Sequence, residues 1–145
     1  MTMWKVTIAP QESLIAWDFF VQQAVVGIGW PDHEWDRDPT VRQFRQIQNG
    51  DWVVAHVPKS HGGAPTLALG VGQIVGEYAE VYQADLPSDD PWSGAFRRQY
   101  PVEWILGDHP LREILNSWQF RRTVVQLSPT QERQILDLYE IPDNR

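Results

Sequence analysis

Apolar and polar residues alternate at the start of the chain. Trp4, Val6 and Ile8 share one parity and Lys5 and Thr7 the other, which predicts a strand from Trp4 to Ala9 ended by Pro10. The pattern then becomes denser: Leu14, Ile15, Trp17, Phe19, Phe20 and Val21 predict a largely buried helix over Glu12 to Gln23, with Ser13 placed to cap its start. Val25 to Gly29 is a short strand running into Trp30-Pro31-Asp32, where the proline forces the chain out of regular structure and leaves Trp30 at a strand end. After a polar loop to Asp38, Asp38-Pro39-Thr40 opens a second helix carrying Val41, Phe44, Arg45 and Ile47, and Asn49-Gly50-Asp51 closes it.

Trp52 to Val57 reads as a strand, and the connection PKSHGGAP (58–65) implies a hairpin to a long strand over Leu67 to Val81. Gly70, Gly72 and Gly76 interrupt that strand and predict strong curvature, as at a barrel corner. They are no phosphate loop, because neither the lysine nor the opening helix of one follows them. The longest irregular stretch, QADLPSDDPWSG (83–94), carries Trp92. Phe96 to Leu106 resumes as strand, Leu111 to Trp118 predicts a short helix, and Thr123 to Leu127 a final strand. Ser128, Pro129 and Gln131 then stand where a cap, a first-turn proline and the reciprocal capping side chain belong, beginning a helix with Ile135, Leu138 and Tyr139. About six strands with helices between and after them predict an α+β fold. The length of 145 residues predicts one domain, 1–145.

With 42% apolar and 21% charged residues and no low-complexity tract, the chain has the composition of a folded globule. It has no cysteine, which excludes disulfides, thiol nucleophiles and cysteine zinc sites. His33, His56, His61 and His109 lack metal-ligand spacing, so neither metal nor cofactor is expected. The first residues lack the basic start and apolar run of a signal peptide, and no segment reaches the length of a membrane span; a cytoplasmic location is expected. Two further numbers pull apart. A net charge of -7 excludes a broad basic surface for phosphate backbones. Eight tryptophans exceed what a core of this size needs, so some are expected to face a ligand.

Six phrases, in order, carry a resemblance: MWKVTIAP at the start, Val26-Gly27-Ile28-Gly29-Trp30, Asn49-Gly50-Asp51-Trp52-Val53-Val54-Ala55, Leu69-Gly70-Val71-Gly72-Gln73-Ile74-Val75, Tyr100-Pro101-Val102-Glu103-Trp104-Ile105 and Thr123-Val124-Val125-Gln126-Leu127-Ser128. Together they resemble the PUA-like barrels, in particular EVE domains, with the related YTH domains and the N-terminal modules of modification-dependent restriction systems. The resemblance implies a curved barrel of about six strands with flanking helices. It also implies a non-catalytic module that reads a modified, methylated base flipped into an aromatic cage. DNA or RNA carrying such a base is the implied partner, and the restriction-system relatives imply a nuclease or motor subunit beside it. Stacking a flipped base is worth about 1–3 kcal/mol and needs few cations, which reconciles surplus indoles with an acidic chain.

On this resemblance Trp30 matches the family's strand-end tryptophan and Trp92 the tryptophan of the long loop in YTH-like readers, while Trp35 lies in sequence to supply a third wall. Pro10, within Ala9 to Gln11, and the Ser128 turn correspond to places where relatives hydrogen-bond the base, although capping alone accounts for Ser128. The acidic residue YTH readers carry in that turn, and the asparagine-rich phrase EVE proteins carry after the first tryptophan, are both missing from this chain. Trp17 and Trp104 sit in buried periodic contexts and read as core, with Trp52 between the two roles. Positive charge clusters at Arg42 and Arg45, at Lys59, at Arg97 and Arg98, and at Arg121 and Arg122; each suits a flanking phosphate or an ordinary surface ion pair. Two rival readings stand beside this one. An enzyme would draw on Asp51, His56 and Glu77 or Glu103, but no nucleophile elbow, paired-carboxylate motif or metal triad is present. An RNA-binding PUA-like domain, or a small-molecule or protein-interaction barrel without nucleic acid, is the other; the acidic balance favours the latter form.

Overall fold

The computed structural model describes residues 2–7, 13–28, 39–57, 66–80, 98–105, 112–114 and 124–142. Its strands are β1 (Met3–Thr7), β2 (Val25–Ile28), β3 (Trp52–Val57), β4 (Thr66–Ile74), β5 (Ala79–Glu80), β6 (Arg98–Ile105), β7 (Arg112–Ile114) and β8 (Val124–Gln126). The helices are α1 (Ser13–Gln23), α2 (Pro39–Phe44) and α3 (Pro129–Leu138). Six strands follow the order β2-β6-β4-β3-β1-β8, with β5 added to β6 and β7 to β4. β1 and β3 run parallel, which requires the long crossover that α1, β2 and α2 occupy.

The bend of the sheet is built into β4. Ala55 pairs with Gly70 and His56 with Ala68, so Leu69 is an extra residue on that strand, a β-bulge. The bulge lets Leu69 join the inner core while Ala68 and Val71 belong to the outer one. A Cβ on Gly70 would stand 2.4 Å from Cη2 of Trp17, and one on Gly72 would stand 2.5 Å from Cγ1 of Val102. These glycines therefore give neighbouring side chains room against bare backbone, a role beyond the curvature predicted for them. Trp17 in turn meets Trp104 edge-on, with ring centroids 4.8 Å apart. The indole N–H of Trp104 is shared by the carbonyls of Phe20 and Val25, at 3.2 Å each, fastening α1 and β2 to β6.

Trp4, Val6, Phe20, Val26, Phe44, Val53 and Val102 complete the core inside the curl. On the outer face Met3, Val54, Val71 and Leu127 pack with Ile135 and Leu136 of α3. Both faces of the central strands are thus covered. Lys5, which alternation assigns with Thr7 to a polar face, is 0% exposed as a consequence.

Two expectations need correction. Arg112–Ile114 is a strand paired with Thr66 to Ala68 of β4, where the spacing of Leu111, Ile114, Leu115 and Trp118 predicts a helix. The hydrogen bonds offered by the first half of β4 override that helical spacing. The single strand predicted over Leu67 to Val81 is broken after Ile74, and the chain resumes pairing at Ala79 as β5. The last helix begins as predicted: Ser128 N–H donates to Oε1 of Gln131 at 2.9 Å, and Gln131 N–H donates to Oγ of Ser128 at 3.3 Å. Ser128→Ala should therefore lower the unfolding free energy by about 1 kcal/mol, read as an earlier urea midpoint at unchanged slope.

Candidate nucleic-acid interface

Trp30 and Trp35 fall in 29–38, Trp92 and Arg97 in 81–97, Pro10 in 8–12, Lys59 in 58–65 and Arg121 in 115–123, all outside the described residues. The strand ends from which these segments leave are described. Ile28, two residues before Trp30, pairs with Arg98, and Arg98 pairs on its other side with Glu80. The chain therefore departs toward Trp30, departs toward Trp92 and returns from Trp92 at three neighbouring positions of one sheet end, roughly 10 Å across. Other predicted members start elsewhere. Thr7, from which the chain runs to Pro10, pairs with His56, and Ser128 follows β8 at the opposite end of the strand order from β2.

Packing takes up the four tryptophans among the described residues. Trp4 and Trp17 are buried, and Trp52 and Trp104 are half-buried against the two cores. Trp30, Trp35, Trp92 and Trp118 all lie in the segments outside the described residues. Among the predicted phosphate contacts, Arg42 and Arg45 are exposed, on α2 and just after it. The Arg45 guanidinium sits over the Tyr78 ring, 5.7 Å from its centroid. Tyr78 packs edge-on with Phe44 and Tyr100, so the cation rests on an anchored aromatic platform. Arg98 begins β6.

Sequence reasoning missed a cleft of about 420 Å³ lined by Thr2, Trp4, Arg45, Gln46, Gln48, Asp51 and Gln126. Its floor is fixed by Asp51, whose Oδ2 accepts the indole N–H of Trp4 and the backbone N–H of Gln48, each at 2.9 Å. The run RQFRQIQ (42–48), alternating amides and guanidinium groups with apolar residues, is the signal that could have found it.

Two of the groups named for an enzymatic site, Asp51 and His56, stand apart. Asp51 precedes β3 and His56 stands five residues further along it, about 17 Å away in an extended strand. His56 is 2% exposed, and its Nδ1 lies 3.0 Å from Oγ1 of Thr7, to which the ammonium of Lys5 donates at 2.7 Å. Burial, and then the charge of Lys5, hold the imidazole down to about 3. Glu77 and Glu103 are exposed. Among the described residues no three histidines or carboxylates are grouped to hold a metal.

No protein-family model matches the chain, and a search of curated proteins finds no match. Solved structures do. A hypothetical protein from Leishmania major matches at a TM-score of 0.58, with 16% identity over 97% of this chain and 95% of that one. The YTH domain of Toxoplasma CPSF4, solved with an m6A-modified RNA, matches at 0.57, with 10% identity over 99% of this chain and 93% of that one. The YTH domain of Zygosaccharomyces rouxii MRB1, solved with N6-methyladenosine RNA, matches at 0.54, with 13% identity over 99% and 87%. The curled sheet and its few helices thus share the fold of these YTH domains.

Proposed function

We infer that the chain is a non-catalytic reader of nucleic acid, which draws one methylated base out of its strand into a pocket walled by Trp30 and Trp92, with Trp35 closing it. One observation carries this reading: the segments bearing Trp30 and Trp92 leave the sheet at adjacent, hydrogen-bonded strand ends, Ile28, Arg98 and Glu80. Four tryptophans are taken up by packing among the described residues, and Trp30, Trp35 and Trp92 belong to those two segments. The shared fold of two domains solved with N6-methyladenosine RNA makes that base the first ligand to try.

The physical terms set the expected numbers. Stacking contributes about 1–3 kcal/mol per base, so Trp30→Ala and Trp92→Ala should each weaken binding at least tenfold. The methyl group adds about 0.8 kcal/mol, so the modified strand should be preferred only about fourfold on that account. With a net charge of -7, few phosphates are neutralised, and affinity should fall gently with salt. Fluorescence anisotropy with oligonucleotides bearing N6-methyladenine, methylated cytosine or hydroxymethylated cytosine, single- and double-stranded, tests all three terms. Equal affinity for unmodified strands would overturn base reading. Failure of every oligonucleotide to bind would favour a barrel that senses a small molecule or a protein.

A further inference from the structure

Resting on that reading, we propose that the cleft beside α2 is a second nucleotide subsite, which takes an unmodified base of the same strand whose methylated base enters the tryptophan pocket.

Its size and chemistry point to such a ligand. About 420 Å³ is the range of a small-molecule site. The walls offer Arg45, the amides of Gln46, Gln48 and Gln126, and the carboxylate of Asp51. Glutamine amides reach the donor and acceptor pair on an adenine edge, arginine the two acceptors of guanine, and a carboxylate the amino group of cytosine. Single-stranded RNA exposes those edges, whereas a duplex conceals most of them. The cleft has little to hold an apolar ligand: its one large ring, Trp4, is 4% exposed.

The site is built and not merely concave. Asp51 is held by Trp4 and the Gln48 backbone, and Arg45 is held over Tyr78. Behind these walls the Tyr100 hydroxyl is buried with no hydrogen-bond partner among the described residues, and Arg45, Glu77 and Asp51 lie within electrostatic reach of it. The cleft follows the Trp30 segment along the chain. The segment carrying Trp30 and Trp35 enters α2 at Pro39, and the cleft begins at Arg45, one residue beyond the end of the helix.

The double variant Gln48→Ala/Gln126→Ala tests the assignment, because both side chains are exposed and neither supports the core. Two probes are compared: a single-stranded RNA nonamer with one central N6-methyladenosine, and N6-methyladenosine monophosphate alone. The double variant should bind the nonamer about tenfold more weakly, lose preference among bases flanking the modification, and bind the mononucleotide as before. Trp30→Ala should weaken both. Unchanged nonamer binding in the double variant, alongside loss in Trp30→Ala, overturns the subsite and leaves the tryptophan pocket standing. Failure of the unaltered protein to bind either probe overturns both. Thermal melting of each variant checks that the fold is intact.

Discussion

Trp17→Ala should lower the unfolding free energy by about 3–5 kcal/mol, and adding Gly70→Ala to it should restore part of that loss. The indole is 6% exposed, meets Trp104 edge-on at 4.8 Å and lies so near Gly70 that a methyl there would stand 2.4 Å from it. In the unaltered protein Gly70→Ala should cost about 1–3 kcal/mol by overpacking, because the neighbouring atoms belong to a rigid ring wedged between α1 and β6. Once the ring is gone, the same methyl fills space. The sign of the Gly70 substitution should therefore reverse between the two backgrounds, a coupling that equilibrium urea unfolding of the four proteins measures directly. Equal damage from Gly70→Ala in both would mean that backbone conformation, and not the ring, requires glycine there.

A rise of stability toward alkaline pH is the second large effect expected. Burial lowers Lys5 from 10.5 to about 7, and burial with the Lys5 charge lowers His56 from 6.5 to about 3. Each group binds its proton less readily in the folded chain than in the unfolded one. Stability must then increase with pH wherever the unfolded chain is the more protonated. For His56 that window is about pH 3 to 6.5, and for Lys5 about pH 7 to 10.5. Within either window the slope approaches 1.4 kcal/mol per pH unit at most. Lys5→Met should flatten the upper window and raise stability at neutral pH, while the His56 window survives. Urea midpoints from pH 4 to pH 10 read both, and an upper slope unaffected by Lys5→Met would sink the assignment.

Local chemistry was legible in the sequence. The Ser128 cap with Pro129 and Gln131 depends on residues three apart, and the structure forms it as read. β3 and β1 could be read from their own residues, and Trp17 and Trp104 were recognised as core from periodicity. Features that depend on distant partners were not. Lys5 looks solvent-facing because alternation marks which residues share a face and not what covers that face; here the covering apolar residues arrive with α3, more than 120 positions later. Arg112–Ile114 reads as helix by spacing and becomes strand because β4 has hydrogen bonds to offer it. The cleft draws on Thr2, Arg45 and Gln126, which only the sheet order brings together. Of the proposed tryptophan pocket, the residues were named from the sequence, and the structure adds that the segments bearing Trp30 and Trp92 leave neighbouring strand ends.

At the two ends of the described strand order stand β2, four residues long, and β8, three. Over the described residues each margin offers a foreign chain only a few amide groups to pair with, which limits edge-to-edge association along them.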